Sequence, residues 1–160
     1  MVEDNFLNQK QFSDLENYTI NNTYFPFYLQ RQVNTEQMNN NDYYFTHLII
    51  NEGVKTSNDF DNFIFFLKEK LNVKAFIRIK INIYPSTSEL VNHAPHIDYD
   101  FPHKGMILGL NSCDGYTTLQ DGTKIGSVKN RALYFDPSKP HSSSSCTNAQ
   151  FRANINMNYF

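Results

Sequence analysis

Residues 150 to 160 alternate without a break. Phe151, Ala153, Ile155, Met157 and Tyr159 fall on one side, and Arg152, Asn154, Asn156 and Asn158 on the other. Successive side chains of an extended strand point to opposite faces, whereas a helix groups residues three and four apart. An alternation this long fixes a strand whose apolar face must be buried. Such a strand has to sit in a sheet, and the sheet needs a second layer to cover it.

The same period recurs upstream. Phe76 to Tyr84 (FIRIKINIY) sets Phe76, Ile77/Ile79, Ile81 and Ile83 against Arg78, Lys80 and Asn82 and reads as a half-buried strand. Tyr43 to Asn51 (YYFTHLIIN) reads as another. Lys104 to Asn111, Thr117 to Gln120, Thr123 to Val128 and Arg131 to Asp136 are shorter runs, punctuated by the turn signals Asp121-Gly122 and Asp136-Pro137. Aromatic residues make up 15% of the chain, a bias that favours sheet. Several short strands at close spacing predict a mainly β fold with flanking helices, a jelly roll or small sandwich.

Two helices flank these runs. Phe60, Phe63, Ile64, Leu67 and Leu71 form a stripe over 59–71, with Asp59 and Asp61 at its start and Lys68 and Lys70 near its end, as the helix dipole favours. The stripe reads as the face of a helix that braces a sheet. Asp4 is a candidate cap for a short helix running toward Glu16. Thr35 to Asp42 (TEQMNNND) reads as a loop. No interdomain linker is visible, and the Ser142 to Ser145 run is too short to be one. The expectation is a single domain over 1–160, with helical and strand support over about 1–73 and a β core over about 74–160.

Charge and composition exclude some classes. A net charge of −2 and a pI near 6.2 leave no basic field for nucleic acid. The opening residues MVEDNFLNQK lack the basic and apolar regions of a secretory signal. No apolar run approaches the ~20 residues of a membrane helix. Cys113 and Cys146 fit no zinc spacing and are expected as free thiols in a reducing cytosol.

The chemistry gathers in the second half. In His96-Ile97-Asp98, two residues that bear metal-ligand side chains lie two apart, so on an extended strand they share one face. His141 follows a strand and a Pro turn, where it can be aimed into a barrel mouth. Two imidazoles and one carboxylate with open positions are the ligand set of non-heme Fe(II) oxygenases. Arg152 lies on the polar side of the last strand. Its planar guanidinium meets a carboxylate with two parallel hydrogen bonds.

The order strand-Tyr84-Pro85, His96-x-Asp98, Gly115-x-Thr117, R-x-L-Y-F-D-P at 131 to 137, His141 and Arg152-x-Asn154 resembles the Fe(II)/2-oxoglutarate-dependent oxygenases. The likeness is greatest to the prolyl-4-hydroxylase-like group, and within it to short members encoded by bacteriophages. It covers roughly 76–160. It implies a double-stranded β-helix, the cupin-like jelly roll. It also implies a dioxygenase that hydroxylates a C–H bond of a peptidyl or free amino acid, using Fe(II), 2-oxoglutarate and O2, with ascorbate as a candidate reductant, and releasing succinate and CO2. His96, Asp98 and His141 would be the metal and catalytic residues. Arg152 would bind the distal carboxylate of 2-oxoglutarate, aided by Tyr84, Asn154 and Asn82. The implied setting is the cytoplasm, that of a bacterial host if phage-encoded.

The chain departs from the family in two places. Asn154 stands where many members carry Ser, and a tyrosine of animal-type hydroxylases falls near Gly109 here. Asn82-x-Tyr84 also resembles an element of nucleic-acid demethylases, so a nucleobase hydroxylase or demethylase is the second reading. A non-catalytic jelly-roll binding or virion-associated protein is the third. His93 and His103 read as parts of a mobile polar loop with a candidate substrate contact, and His47 as a structural histidine. Tyr99, Asp100 and Phe101 are candidates for the entrance.

Overall fold

The computed structural model describes residues 1–31, 43–57 and 61–160. In chain order its elements begin with β1 (Val2–Glu3), α1 (Gln9–Tyr18), β2 (Tyr28–Gln30), β3 (Tyr44–Asn51), β4 (Val54–Lys55) and α2 (Asp61–Lys70). They continue with β5 (Phe76–Pro85), β6 (Lys104–Gly109), β7 (Tyr116–Thr118), β8 (Lys124–Gly126), β9 (Ala132–Phe135), β10 (Ser142–Ser143) and β11 (Phe151–Tyr159). The large sheet runs β1-β9-β6-β11-β5-β3-β2, with β4 paired to β3; the small one runs β10-β7-β8. All pairings are antiparallel. Together the sheets make the expected jelly roll.

β11 is central in the large sheet, antiparallel to both β5 and β6. Its apolar side, Ala153, Ile155 and Met157, packs with Ile79 and Ile81 of β5 and Met106 and Leu108 of β6. The helices cover this layer. Phe12 and Leu15 of α1 and Leu67 of α2 belong to the same core, with Phe63, Ile64 and Leu71 packed against it. The stripe therefore braces the sheet as its spacing predicts. Phe60 and Asp59 lie outside the described residues, as does the loop 35–42. Among the described residues no helix is long and apolar enough to cross a membrane. Cys113 and Cys146 are free thiols.

Two local readings are corrected. Asp4 does not cap α1: Asn8 does, in a capping box with Gln11, while Asp4 pairs with Arg131 at 2.6 Å. Asn at this position offers a short acceptor to the first free N–H groups, and Gln11 returns the bond to the Asn8 N–H. β6 stops at Gly109, short of Asn111, because the Asn111 side chain takes over the pairing. Its amide donates to the Phe151 carbonyl at 2.6 Å and accepts from the Ala153 N–H at 2.8 Å. The polar side of β11 is not solvated. Arg152, Asn154, Asn156 and Asn158 are all buried, turned toward the interior between the two sheets.

Ile155 is fully buried at the centre of the large sheet, while Phe65 on α2 is mostly exposed. Urea denaturation is expected to show Ile155→Ala losing about 2–5 kcal/mol. Phe65→Ala should stay within about 0.5 kcal/mol of the parent.

Candidate metal centre

His96 and His141 face each other across an isolated antiparallel bridge. Each backbone N–H donates to the other's carbonyl at 2.9 Å. Residues directly opposed in such a pair send their side chains to one face, and the two rings lie 4.6 Å apart between centroids. Asp98, two residues on, shares that face. Its N–H donates to the Pro137 carbonyl at 2.9 Å, tying the segment to the turn before His141. The His96 Nε2 lies 3.8 Å from Asp98 Oδ1 and the His141 Nε2 lies 3.9 Å from Oδ2. One ligand atom from each residue lies within 4.8 Å of the others.

The hydrogen bonding decides which nitrogens face inward. The His141 Nδ1 is 3.0 Å from the Lys139 carbonyl, and the His96 Nδ1 is 3.5 Å from that of Ala94. A carbonyl only accepts, so Nδ1 carries the hydrogen and Nε2 presents its lone pair. The His141 Nε2 is buried without a partner. An unmatched polar atom in a dry place is costly, and a cation shared with Asp98 would match it. Burial, then His141, hold the His96 pKa down to about 4, against the pull of Asp98. Burial opposes the Asp98 charge, but Arg78, His141 and Lys80 outweigh it and hold the carboxyl at about 2. At neutral pH His96 and Asp98 are thus free of protons, as metal ligation needs. The donor set fits a divalent metal.

Arg78 and Asn158 orient the carboxylate. The Arg78 guanidinium donates to Oδ1 at 2.5 Å, and the Asn158 amide donates to Oδ2 at 3.1 Å. Each oxygen keeps lone-pair capacity toward the imidazoles.

Beyond the triad lies Arg152, 2% exposed. It donates to the Ser144 carbonyl at 3.1 Å and to the Thr117 hydroxyl at 2.8 Å, while its Nε is buried and unpartnered. Among the described residues no carboxylate pairs with it. Gly115 makes room for it: a Cβ there would stand 2.8 Å from the Arg152 Cδ and 2.5 Å from the Ser145 carbonyl oxygen. Tyr84 is the cross-strand neighbour of Arg152, with the guanidinium 5.7 Å from its ring centroid. The ring stacks on Tyr44. Burial raises the Tyr84 pKa, against the pull of Arg152.

Asn82 and Asn154 form the next cross-strand pair and bond to each other at 3.1 Å. The structure thus brings every predicted site residue to one interior. A cavity reaches from His96 and His141 to Tyr84 and Asn154, lined also by Lys80 and Asn156. An adjoining one reaches Thr117 and Arg152.

Arg78, Lys80, Asn156 and Asn158 escape a reading by motif. Their signal is the period of the two strands. The register pairs Arg78 with Asn158, Lys80 with Asn156, Asn82 with Asn154 and Tyr84 with Arg152, all on one face. Burial, then Arg78, lower the Lys80 pKa to about 8, with Asp98 acting against them. His93 and His103 lie in loops, and both are buried. His93 bonds the Ser143 hydroxyl at 2.7 Å and packs on Tyr84. His47 is structural, held by the Pro26 carbonyl and Ser57. Asp136 forms a turn with Ser138.

No protein-family model and no curated protein matches the sequence. Solved structures do match by fold. A prolyl hydroxylase from Trichoplax adhaerens, in complex with a hypoxia inducible factor oxygen degradation domain peptide fragment, superposes with a TM-score of 0.71 at 16% identity, over 100% of this chain and 82% of that one. A Pseudomonas putida prolyl-4-hydroxylase gives 0.67 at 12% identity, over 99% and 91%. An oxidoreductase of the 2OG-Fe(II) oxygenase family from Burkholderia pseudomallei gives 0.73 at 9% identity, over 98% and 81%.

Manganese titration followed by electron paramagnetic resonance checks the ligand set. His96→Ala, Asp98→Ala and His141→Ala are each expected to weaken Mn(II) binding by more than about tenfold. His93→Ala should bind the ion as the parent does, because that imidazole is committed to Ser143.

Proposed function

We propose that the chain is an Fe(II)- and 2-oxoglutarate-dependent oxygenase that hydroxylates a C–H bond of a peptidyl or free amino acid, with succinate and CO2 as coproducts. One observation carries the reading. Two imidazoles and a carboxylate converge beside a buried guanidinium that has no carboxylate partner among the described residues. Oxygenases and prolyl hydroxylases share the fold, one of them seen with a peptide, which supports the substrate class.

His96, Asp98 and His141 would hold the iron through two Nε2 atoms and one carboxylate oxygen. A set of three leaves coordination positions open. When bound, the iron and 2-oxoglutarate supply the oxidative chemistry, and the protein supplies position and a dry shell. Arg152 would take the distal carboxylate of 2-oxoglutarate. Thr117 and the Ser144 carbonyl hold the guanidinium in place, which lowers the entropy lost on binding. Tyr84 would add a phenol donor there, kept in its protonated form by burial. Asn82 and Asn154 would line the path to the metal, their mutual bond holding both amides still. Arg78 would keep Asp98 aimed and ionised.

Incubation with Fe(II), 2-oxoglutarate and O2 is expected to form succinate. Arg152→Ala should retain Mn(II) binding and weaken 2-oxoglutarate by about 1.5–3 kcal/mol, read by calorimetry on the Mn(II) form. Undiminished 2-oxoglutarate affinity in that variant would overturn the anchor, and absence of succinate in the parent would overturn the activity.

A further inference from the structure

The inner face of β5 and β11 carries one cation too many for the partners in view. Arg78 is matched by Asp98 at 2.5 Å. Arg152 stands ready for one carboxylate. Lys80, between them on the same face, makes no ion pair with any described residue, and its ammonium lies 5.8 Å from the Tyr44 ring centroid. Its cross-strand partner Asn156 is 7% exposed, lines the same cavity, and has a side-chain oxygen with no hydrogen-bond partner. An ammonium facing a cavity calls for an anion, and a buried amide oxygen calls for an N–H. Both groups line one cavity, so a ligand that carries a carboxylate and an N–H would match the two together.

We propose that Lys80 and Asn156 form a recognition site for a free α-amino acid, Lys80 binding its carboxylate and the Asn156 oxygen accepting from its amino group. A residue inside a peptide chain, unless it is Asp or Glu, offers no carboxylate and would leave Lys80 unmatched. 2-Oxoglutarate has no N–H and would leave Asn156 unmatched. The same cavity is lined by His96 and His141, so a ligand held here lies beside the metal ligands. That this ligand is the substrate rests on the oxygenase reading above; the binding site itself does not.

Saturation-transfer NMR with the standard amino acids as probes tests the site and requires no metal. At least one is expected to bind the parent protein, and its carboxamide derivative should bind at least about tenfold more weakly, the scale of one charge-assisted hydrogen bond. Lys80→Met should impose a similar loss, Lys80→Arg should restore part of it, and Asn156→Leu should weaken the acid and the carboxamide alike. Circular dichroism establishes that each variant is folded. Affinity for 2-oxoglutarate itself, measured on the Mn(II) forms, is expected to be unchanged in Lys80→Met. Three results would overturn the proposal: no amino acid binding to the parent, equal binding by Lys80→Met, or a loss in that variant confined to 2-oxoglutarate. Failure of the parent to bind Mn(II) would instead sink the oxygenase reading and leave the amino-acid result standing.

Discussion

The register between β5 and β11 puts Arg78, Lys80, Asn82 and Tyr84 opposite Asn158, Asn156, Asn154 and Arg152, on a face that is buried. Polar groups taken from water cost free energy unless they are bonded. Some of these are: Asn82 to Asn154, and Arg78 and Asn158 to Asp98. Others keep an unmatched atom, among them the Arg152 Nε, the Asn156 and Asn158 oxygens and, across the cavity, the His141 Nε2. Buried orphans are scarce in folded proteins. Several of them around one interior mark it as built to receive something polar, and their chemistry describes a cation at one end and a carboxylate at the other.

Much of this was legible in the sequence, and the illegible part has a physical cause. The alternation of β11 fixed its conformation and its apolar side. His96-x-Asp98 fixed two side chains on one face. The pairing of His96 with His141 could not be read, since it joins segments 45 residues apart through backbone bonds that leave no mark on composition. The polar side of β11 misleads by itself: a strand with one apolar and one polar face reads as half-solvated. Only the second sheet, with Thr117 and Ser144 bonding Arg152, makes that face an interior. Ser142 to Ser145 carries no motif in the sequence. In the fold it supplies β10 and the carbonyl that holds the guanidinium, and the Ser143 hydroxyl bonds His93.

Glycine sets the shape of this interior. A Cβ on Gly109 would collide with the Val128 carbonyl oxygen, so backbone approaches backbone there. A side chain at that position has no room here. Tyr84 stands on the opposite flank, stacked on Tyr44 and backed by His93, and it is the phenol that the fold holds next to Arg152. The close contact at Gly109 shuts one flank of the interior to side chains, and the β5–β11 register places the Tyr84 ring on the other.

The same strands explain how the protein sustains an interior with three cations and one carboxylate. Ile79 and Ile81 of β5, and Ala153, Ile155 and Met157 of β11, alternate with the charged and amide side chains and are fully buried in the main core. Each of the Ile and Met side chains contributes about 1.5–3 kcal/mol by leaving water. That offsets the cost of holding Lys80 and Arg152 without anions. Period-two geometry is what makes the arrangement possible, because the stabilising and the functional side chains occupy adjacent positions yet never compete for space. A helix in this place would need separate segments for the two tasks. Here a single pair of strands holds the sheet together on one side and lines the candidate site on the other.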